Sequence, residues 1–439
     1  MESKPEFGDK PECKQEAQPQ SPPIVAWIGI DWADQEHHVC LQVVGSTQVE
    51  HQVLPQRPDA LQDWVQQLRA RFPQGRVALA LEQARGPLIY ALMSYEFLLL
   101  YPIPGKTVAD YRKAFFGSGA KGDPSDAELV LELLRCHRER LHPWVPDDAS
   151  TRHLGWLTEQ RRKLVEERTA LSNRLGSLLK ESFPQALDWV GDLGQAPASK
   201  FLAKWPSLAA VQKARPASLR KFYLRHFRPQ PGELEKRLAG IRQAKPLTSD
   251  RAVLESHALI VPLLAAQLQT LLASITRVEA VLAQLFSQHP DCHLWEILPG
   301  AGKALAPRLL TAFGSDRQRY RNASEVQIFS GIAPVTASSG KSRWVHWRWA
   351  CPKFLRQTFH EFAAQSIPRS TWARAYYLEQ IRRGKHHHAA VRALAFKWIR
   401  ILYRCWQDHT PYSEEKYLQA LARRGSPLTA CIQNLGAAV

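Results

Sequence analysis

Apolar and polar positions divide the chain into a first part with strand-like runs and a longer second part with helical spacing. Between Ile24 and about residue 136, apolar β-rich runs predict strands at 24–30, 38–44 and 76–81, with a shorter one at 97–103. Helical spacing in the same part predicts helices at 59–71, 87–96 and 126–136. Alternation of strands and helices favours a mixed sheet covered by helices.

Between residues 151 and about 290 the strand pattern disappears, and apolar residues recur at alternating spacings of four and three. This spacing predicts coiled-coil helices that pack on each other or on a second copy of the protein. The stronger seam comprises Leu264, Leu268, Leu271, Ile275, Val278, Leu282 and Leu285. The weaker seam comprises Leu157, Leu164, Leu171, Leu175 and Leu178.

One part of the stronger seam, residues 257–276, carries no formal charge and is long enough to cross a membrane. It contains Pro262 and two glutamines, and its apolar positions continue in helical phase past Arg277. A packed helix without membrane contact is therefore favoured.

Composition shifts divide the chain into five segments, and the predicted fold class is α/β plus all-α. The first 23 residues contain five prolines and no apolar core, which is typical of a disordered tail and not of a signal peptide. The other segments are an α/β domain at 24–145, a helical region at 146–290, a mostly helical C-terminal domain at 291–425 and a second tail at 426–439.

Charge indicates the kind of partner. The 58 Lys and Arg residues exceed the 41 Asp and Glu residues, and the formal net charge is +17. Residues 341–404 alone hold fourteen Lys and Arg against two Glu. Such a concentrated positive charge attracts a polyanion, and nucleic acid is the leading candidate. Seven scattered cysteines without a Cys-x-x-Cys pair argue against a disulfide framework or zinc ribbon and fit a reducing cytoplasm.

Four carboxylates stand at positions that suit a metal site. Asp31 follows the apolar run IVAWIGI, and Glu82 follows RVALAL. Asp123 and Asp126 are three apart, beside a proline that suits a first helical turn. Each acid alone has an ordinary explanation as a helix cap or a strand end. Together they predict a site for Mg²⁺, with Mn²⁺ as the alternative, because hard cations prefer oxygen ligands and assist phosphodiester chemistry.

The stretch ASSGKSRW, residues 337–344, contains the Gly-Lys-Ser of phosphate-binding nucleotide loops. Val335 stands where such a loop needs its first glycine, and a basic, aromatic stretch follows Ser342. A nucleotide site is therefore disfavoured, and the serines need another role.

A second glycine motif, LPGAGKALA at 298–306, predicts a Pro-Gly-x-Gly turn between helices. It is similar to the helix-hairpin-helix element of DNA-binding proteins, whose backbone N–H groups bind phosphate, although an ordinary interhelical turn has the same pattern. The candidate nucleic-acid contacts in the two motifs and the stretch that follows are Gly300, Gly302, Lys303, Lys341, Arg343 and Arg348.

These residues together resemble a known family. The set Asp31, Glu82, Asp123 and Asp126 on an N-terminal sheet-and-helix unit resembles the ribonuclease-H-like, RuvC-like nuclease domain of Holliday-junction resolvases. Together with LPGAG, FSGIAPVTASSGKSR and RRGKHHHAAVRALAFKWIRIL, it resembles transposases of the insertion sequence 110 family and the related Piv-type DNA invertases. The resemblance extends from Ile24 to about residue 425.

The resemblance implies a RuvC-like catalytic domain at 24–145, a coiled-coil oligomerisation region at 146–290 and a C-terminal transposase domain at 291–425. It implies a recombinase with a DEDD centre of four carboxylates that binds Mg²⁺, and a serine nucleophile that bonds covalently to DNA. The family's serine directly precedes a glycine, which selects Ser339. The implied partners are donor and target DNA, a structured bridge RNA as guide, and a homo-oligomer, dimer or tetramer, whose subunits share active sites.

Two alternatives stay open beside this RNA-guided transposase. One is a structure-selective, Holliday-junction-type endonuclease that uses the carboxylates and water alone. The other is a nucleic-acid-binding scaffold without chemistry. In each case we expect a bacterial cytoplasmic protein associated with the nucleoid and without membrane contact.

Overall fold

The computed structural model describes residues 22–82, 85–115, 123–340 and 342–436, with side chains except at 123–125 and 434–436. The chain divides into two compact units between Pro146 and Asp147. In the described residues the first unit is α/β and the second is helical apart from one small hairpin. This confirms the predicted fold class of α/β plus all-α.

A five-stranded mixed sheet forms the centre of the first unit. Its strands are β1 (Ile24–Asp31), β2 (Glu36–Val43), β3 (Val49–Pro55), β4 (Arg76–Leu81) and β5 (Leu98–Pro102). They lie in the order β3-β2-β1-β4-β5. β1 runs antiparallel to β2 and parallel to β4, while β3 and β5 form the edges.

The helices of this unit are α1 (Pro58–Arg71), α2 (Pro87–Leu92), α3 (Gly105–Phe115) and α4 (Asp123–His137). α1 and α2 cover one face of the sheet, where Trp64 and Leu88 pack against Ile28. α3 and α4 cover the other face, where Val108 and Leu134 pack beside Ala80. The two covered faces explain why β1 and β4 are almost continuously apolar.

The second unit begins with two long helices and a cluster of short ones between them. These are α5 (Ala149–Ser182), α6 (Gln185–Val190), α7 (Ala196–Lys204), α8 (Leu208–Gln212), α9 (Pro216–His226), α10 (Glu233–Gln243) and α11 (Arg251–Ser287). α5 and α11 pack along each other, and Arg161 Nε donates to Glu279 Oε1 at 2.9 Å. The two predicted seams therefore pack together within one chain.

Among the described residues, α11 is the one helix long and apolar enough to cross a membrane. Core helices meet the same criteria. α11 buries Val261, Leu264 and Leu268 in the cluster that also contains Leu175 of α5 and Phe201 of α7. The buried side of the helix therefore has the packing of a core helix, in line with the interpretation of its sequence.

The remaining elements form a helical domain around buried aromatic residues, with Trp295, Trp372, Trp398 and Trp406 almost fully buried. The elements are α12 (Cys292–Glu296), α13 (Gly302–Phe313), α14 (Ala323–Phe329), β6 (Val335–Ser339), β7 (Ser342–His346), α15 (Lys353–Ser366), α16 (Thr371–Arg382), α17 (His387–Gln407), α18 (Glu414–Arg423) and α19 (Leu428–Gly436). α19 lies within the predicted tail at 426–439 and packs against α16.

Candidate active site and nucleic-acid interface

Two of the predicted acids lie at the same edge of the sheet. Asp31 is the last residue of β1, and Glu82 directly follows β4. The two strands are parallel neighbours with Ile30 beside Leu81, so their carboxyl ends coincide. Ile30 and Leu81 face the α1 side, and successive side chains alternate, which turns Asp31 and Glu82 toward α3 and α4.

A glycine brings the third acid to this edge. A Cβ atom on Gly29 would lie 2.3 Å from the carbonyl oxygen of Ala127, so α4 lies against the β1 backbone at a distance that only glycine allows. Asp126 precedes Ala127 and is 4% exposed. The close packing of α4 on β1 thus places Asp126 beside the end of β1 that carries Asp31.

The carboxylates of Asp126 and Glu82 both lie against α3. The guanidinium of Arg112 pairs with Asp126 Oδ1. A Cβ atom on Gly105, at the start of α3, would lie 3.0 Å from Glu82 Oε2, so this carboxylate lies over the first turn of the helix. The N-terminus of a helix is favourable for a negative charge. Both carboxylates therefore have positive groups of α3 as neighbours.

The donor set fits a hard divalent cation in type, because carboxylate oxygens are the ligands that Mg²⁺ prefers. Asp31, Glu82 and Asp126 belong to one sheet edge, but their described side chains are not gathered around one point. Among the described side chains, no three of His, Cys, Asp and Glu lie close enough together to hold one ion. Asp123 begins α4, and its side chain is outside the described residues. The cation opposite Asp126 in this arrangement is Arg112.

A buried histidine that the sequence reasoning missed supports the turn after Asp31. His37, on β2, is 0% exposed. Its Nδ1 accepts a hydrogen bond from the Ala33 N–H at 3.3 Å, and its Nε2 lies 2.5 Å from Gln56 Oε1. Burial lowers the pKa of His37, and the bond to Gln56 opposes this in part. The neutral ring of His37 therefore holds in place the loop that follows Asp31.

Ser339 lies at the tip of an exposed hairpin in the second unit. It is the last residue of β6, directly opposite Ser342, the first residue of β7. Gly340 follows with φ +56°, the left-handed conformation that short hairpin turns require. Ser339 is exposed, and its serine neighbour Ser338 points to the opposite face of the ribbon. The hairpin exposes the Ser339 side chain to solvent.

The LPGAG turn connects α12 to α13 as predicted. Gly300 has φ +88°, and a Cβ atom there would lie 2.4 Å from the carbonyl oxygen of Gln365, so this glycine is required by packing against α15. Gly302 and Lys303 are exposed at the start of α13. Of the three predicted contacts in this motif, Gly302 and Lys303 are exposed and Gly300 is half-buried.

The three basic residues predicted after Ser339 differ in their surroundings. Arg343 is exposed on β7. Arg348 is half-buried, and its Nε donates to the Ala333 carbonyl at 3.4 Å. Lys341 lies outside the described residues. Arg343 is therefore the better placed of the two described side chains for contact with a nucleic acid.

A cation–π stack fixes the base of the hairpin. The guanidinium carbon of Arg392, on α17, lies 4.0 Å from the ring centroid of Trp347, and that of Arg356, on α15, lies 5.2 Å from it. Trp344 and Trp349 are 43% and 81% exposed. One tryptophan thus anchors the segment, and two present their rings to solvent beside basic residues.

Comparison with known proteins identifies the family of this fold and these sites. The profile of the DEDD transposase of IS110, described as "Transposase", matches residues 28–184, and that of "Transposase IS116/IS110/IS902 family" matches 292–378. Together the two profiles cover more than half of the chain. The chain belongs to the IS110 family of transposases.

Relatives of this transposase extend over nearly the whole chain. The "Mini-circle putative transposase for IS117" of Streptomyces coelicolor is 25% identical and covers 90% of this chain and 96% of its own. The "Insertion element IS900 uncharacterized 42 kDa protein" of Mycobacterium paratuberculosis is 26% identical, and the match covers 88% of this chain and 96% of that protein. The "Insertion element IS110 uncharacterized 43.6 kDa protein" of S. coelicolor is 25% identical, and the match covers 89% of this chain and 96% of that protein. Each of these three proteins matches the transposase along nearly its whole length.

Proposed function

We propose that this transposase cuts and rejoins donor and target DNA through Ser339 as a covalent nucleophile. Asp31, Glu82, Asp123 and Asp126 hold Mg²⁺ or Mn²⁺ for this reaction. The observation that carries the proposal is the edge of the sheet at which β1, β4 and the Gly29 contact of α4 collect carboxylates. A chain with seventeen excess positive charges has little other reason to collect acids there.

The covalent step conserves phosphodiester bonds. The Ser339 Oγ bonds to phosphorus, the bond from phosphorus to one deoxyribose oxygen breaks, and the serine proton goes to a base and then to the leaving oxygen. In the rejoining step, a hydroxyl of the partner strand attacks the phosphorus of the phosphoserine, and the bond from phosphorus to the Ser339 Oγ breaks. The exposed tip of the hairpin suits this role, because the nucleophile must reach a phosphate inside a bulky DNA substrate.

Bound Mg²⁺ supplies charge neutralisation at the phosphate and activation of the attacking oxygen. The contribution of the chain is to orient the acids. β1 and β4 fix Asp31 and Glu82, the α4 contact fixes Asp126, and the His37 loop closes beside Asp31. Arg112 pairs with Asp126 and orders its carboxylate.

The test of the nucleophile compares Ser339→Ala with Ser338→Ala, which removes the same hydroxyl one residue away on the opposite face of the ribbon. DNA with the recombination ends of the element is incubated with each variant and separated under denaturing conditions. We expect the covalent adduct and strand exchange to disappear in Ser339→Ala alone. Adduct formation by Ser339→Ala refutes the proposal.

The two alternative functions give different results in the same assay. A structure-selective endonuclease that uses water keeps its cleavage in Ser339→Ala and loses it in Asp31→Asn. A scaffold without chemistry is indifferent to both substitutions. For the proposed transposase, both substitutions abolish strand exchange, and DNA binding persists in each because phosphate contacts provide most of the affinity.

We also propose that a structured RNA encoded beside the gene guides the protein, and that it acts as a dimer or tetramer with shared active sites. The net charge of +12 in residues 341–404 supports a second nucleic-acid partner. Leu259 and Leu263 on α11 are 64% and 54% exposed, one turn apart, and support contact with a second copy. Sequencing of co-purified RNA tests the first part. Light scattering of Leu259→Glu/Leu263→Glu tests the second, because a monomeric wild type contradicts it.

A further inference from the structure

We infer that Trp344 stacks on an unpaired nucleobase of the DNA strand that Ser339 attacks and so positions the phosphate. The inference rests on the proposed function for the identity of the attacked strand. Three observations on the hairpin support it. Trp344 lies on the same face as Ser339, the Trp344 ring is exposed, and the residues around the ring are basic.

Trp344 and Ser339 lie on the same face of the β6–β7 ribbon. Ser339 pairs with Ser342, and Ala337 pairs with Trp344. Directly opposed residues share a face and successive residues alternate, so Ser339, Ser342, Ala337 and Trp344 form one side. Trp344 is the diagonal neighbour of Ser339, about 7–8 Å away between Cα atoms.

The ring of Trp344 is available and has a fixed base. It is 43% exposed, although tryptophan is usually well buried. An isolated two-stranded hairpin is marginal in water, and β6 and β7 pair with no other strand in the described part of the chain. The stack of Trp347 with Arg356 and Arg392 anchors its C-terminal end to α15 and α17. The exposed ring of Trp344 thus lies on a hairpin whose C-terminal end is held against α15 and α17.

The charge around the ring selects the partner. Residues 342–360 contain no Asp or Glu, while they contain Arg343, Arg348, Lys353 and Arg356. The exposed pair Arg343 and Trp344 suits a strand with negative phosphates and unstacked bases, because the cation binds the backbone and the ring stacks on a base. A paired base is stacked in its duplex, so the ligand is an unpaired base next to the cut.

The test uses the full chain and a gapped DNA duplex with 2-aminopurine in its unpaired stretch, since stacking on an aromatic ring quenches the fluorescence of this base. We expect quenching with the wild type and its loss in Trp344→Ala, with about tenfold weaker binding of the gapped DNA. Trp344→Phe restores most of both signals. Val345→Ala is the matched control, because Val345 is 64% exposed on the opposite face of the same strand and its truncation leaves both signals unchanged.

Failure of this inference is distinguishable from failure of the proposed function. Ser339→Ala is expected to bind and quench like the wild type while it forms no covalent adduct. Unchanged quenching and affinity in Trp344→Ala overturn the inference and leave the nucleophile untouched. The inference is also overturned if Trp344→Ala loses quenching and affinity with an RNA strand of matching sequence and keeps both with DNA. A far-ultraviolet circular dichroism spectrum equal to that of the wild type establishes that Trp344→Ala is folded.

Discussion

The guanidinium of Arg112 pairs with the carboxylate of Asp126, and the two side chains are 18% and 5% exposed. This pair joins α3 to α4 at the sheet edge where the other acids end. Asp126 has little access to water, and a buried carboxylate needs a cation inside the protein as its partner. Arg112 fills that role, and a divalent ion that takes Asp126 as a ligand has to displace it.

Substitution of Arg112 by Ala is therefore expected to destabilise the first unit. The Asp126 carboxylate is then left buried without its partner, and loss of one member of a buried pair costs about 3 kcal/mol or more. Urea unfolding followed by circular dichroism measures the change in the free energy of unfolding. The double variant Arg112→Ala/Asp126→Asn recovers much of the loss, because it leaves no unpaired charge. Equal stability of Arg112→Ala and the wild type contradicts the prediction.

The same pair predicts how the protein responds to cations. Mg²⁺ and the guanidinium compete for Asp126, so the rise in Tm on addition of Mg²⁺ is expected to be larger in Arg112→Ala than in the wild type. Asp126→Asn is the control, since it removes a ligand and lowers the response. Thermal unfolding with and without Mg²⁺ provides the comparison. Identical shifts in the wild type and Arg112→Ala show that the ion does not use this carboxylate.

A third prediction concerns the contact between α4 and β1. Gly29→Ala places a methyl group 2.3 Å from the Ala127 carbonyl oxygen, so α4 must move away from the strand. We expect a loss of about 1–3 kcal/mol in the free energy of unfolding and reduced DNA cleavage. Gly240→Ala is the control, because Gly240 lies inside α10 with open space around it and alanine is the better helix former. Similar effects of the two substitutions contradict the close contact.

The apolar pattern predicted most of the sheet, because the central strands β1 and β4 are buried on both faces and leave a clear signal. It missed β3, whose central residues Glu50, His51 and Gln52 are polar and exposed at the edge. It also missed α3, on which Val108 is buried and Tyr111 is only partly buried. Arg112 lies on that missed helix, so its pairing with Asp126 could not be predicted from the sequence pattern.

The candidate site was predictable in its residue types and not in its contacts. Asp31 and Glu82 stand out in the sequence because each ends an apolar run. That their strands are neighbours depends on the strand order, which propensity does not determine. The ribbon face shared by Ser339 and Trp344 depends on a hairpin register that places Ser339 opposite Ser342. The register sets which side chains are neighbours, and the linear pattern did not specify it.

A fourth prediction separates two arginines near the hairpin. In a plot of the logarithm of the DNA-binding constant against the logarithm of the salt concentration, the slope is negative. Arg343→Gln is expected to reduce the magnitude of this slope by about 0.9, the value of one phosphate contact. Arg348→Gln is expected to leave the slope unchanged, because Arg348 is half-buried and its Nε donates to the Ala333 carbonyl. Fluorescence anisotropy at several salt concentrations measures both slopes. Equal reductions place Arg348 on the DNA as well.

The last prediction is a pH dependence that arises from His37. Its Nδ1 accepts the Ala33 N–H, so the folded protein requires the neutral ring, and burial lowers the pKa of His37 below its usual 6.5. As pH falls below 6.5, the unfolded chain takes up a proton before the folded one, and the stabilisation from the neutral ring is lost progressively until the pH has passed the folded pKa. The wild-type Tm should therefore fall over this range, and His37→Gln should fall less. His153→Gln, which changes an exposed histidine of α5, should follow the wild type. A pH profile of His37→Gln that superimposes on the wild type removes His37 as the source.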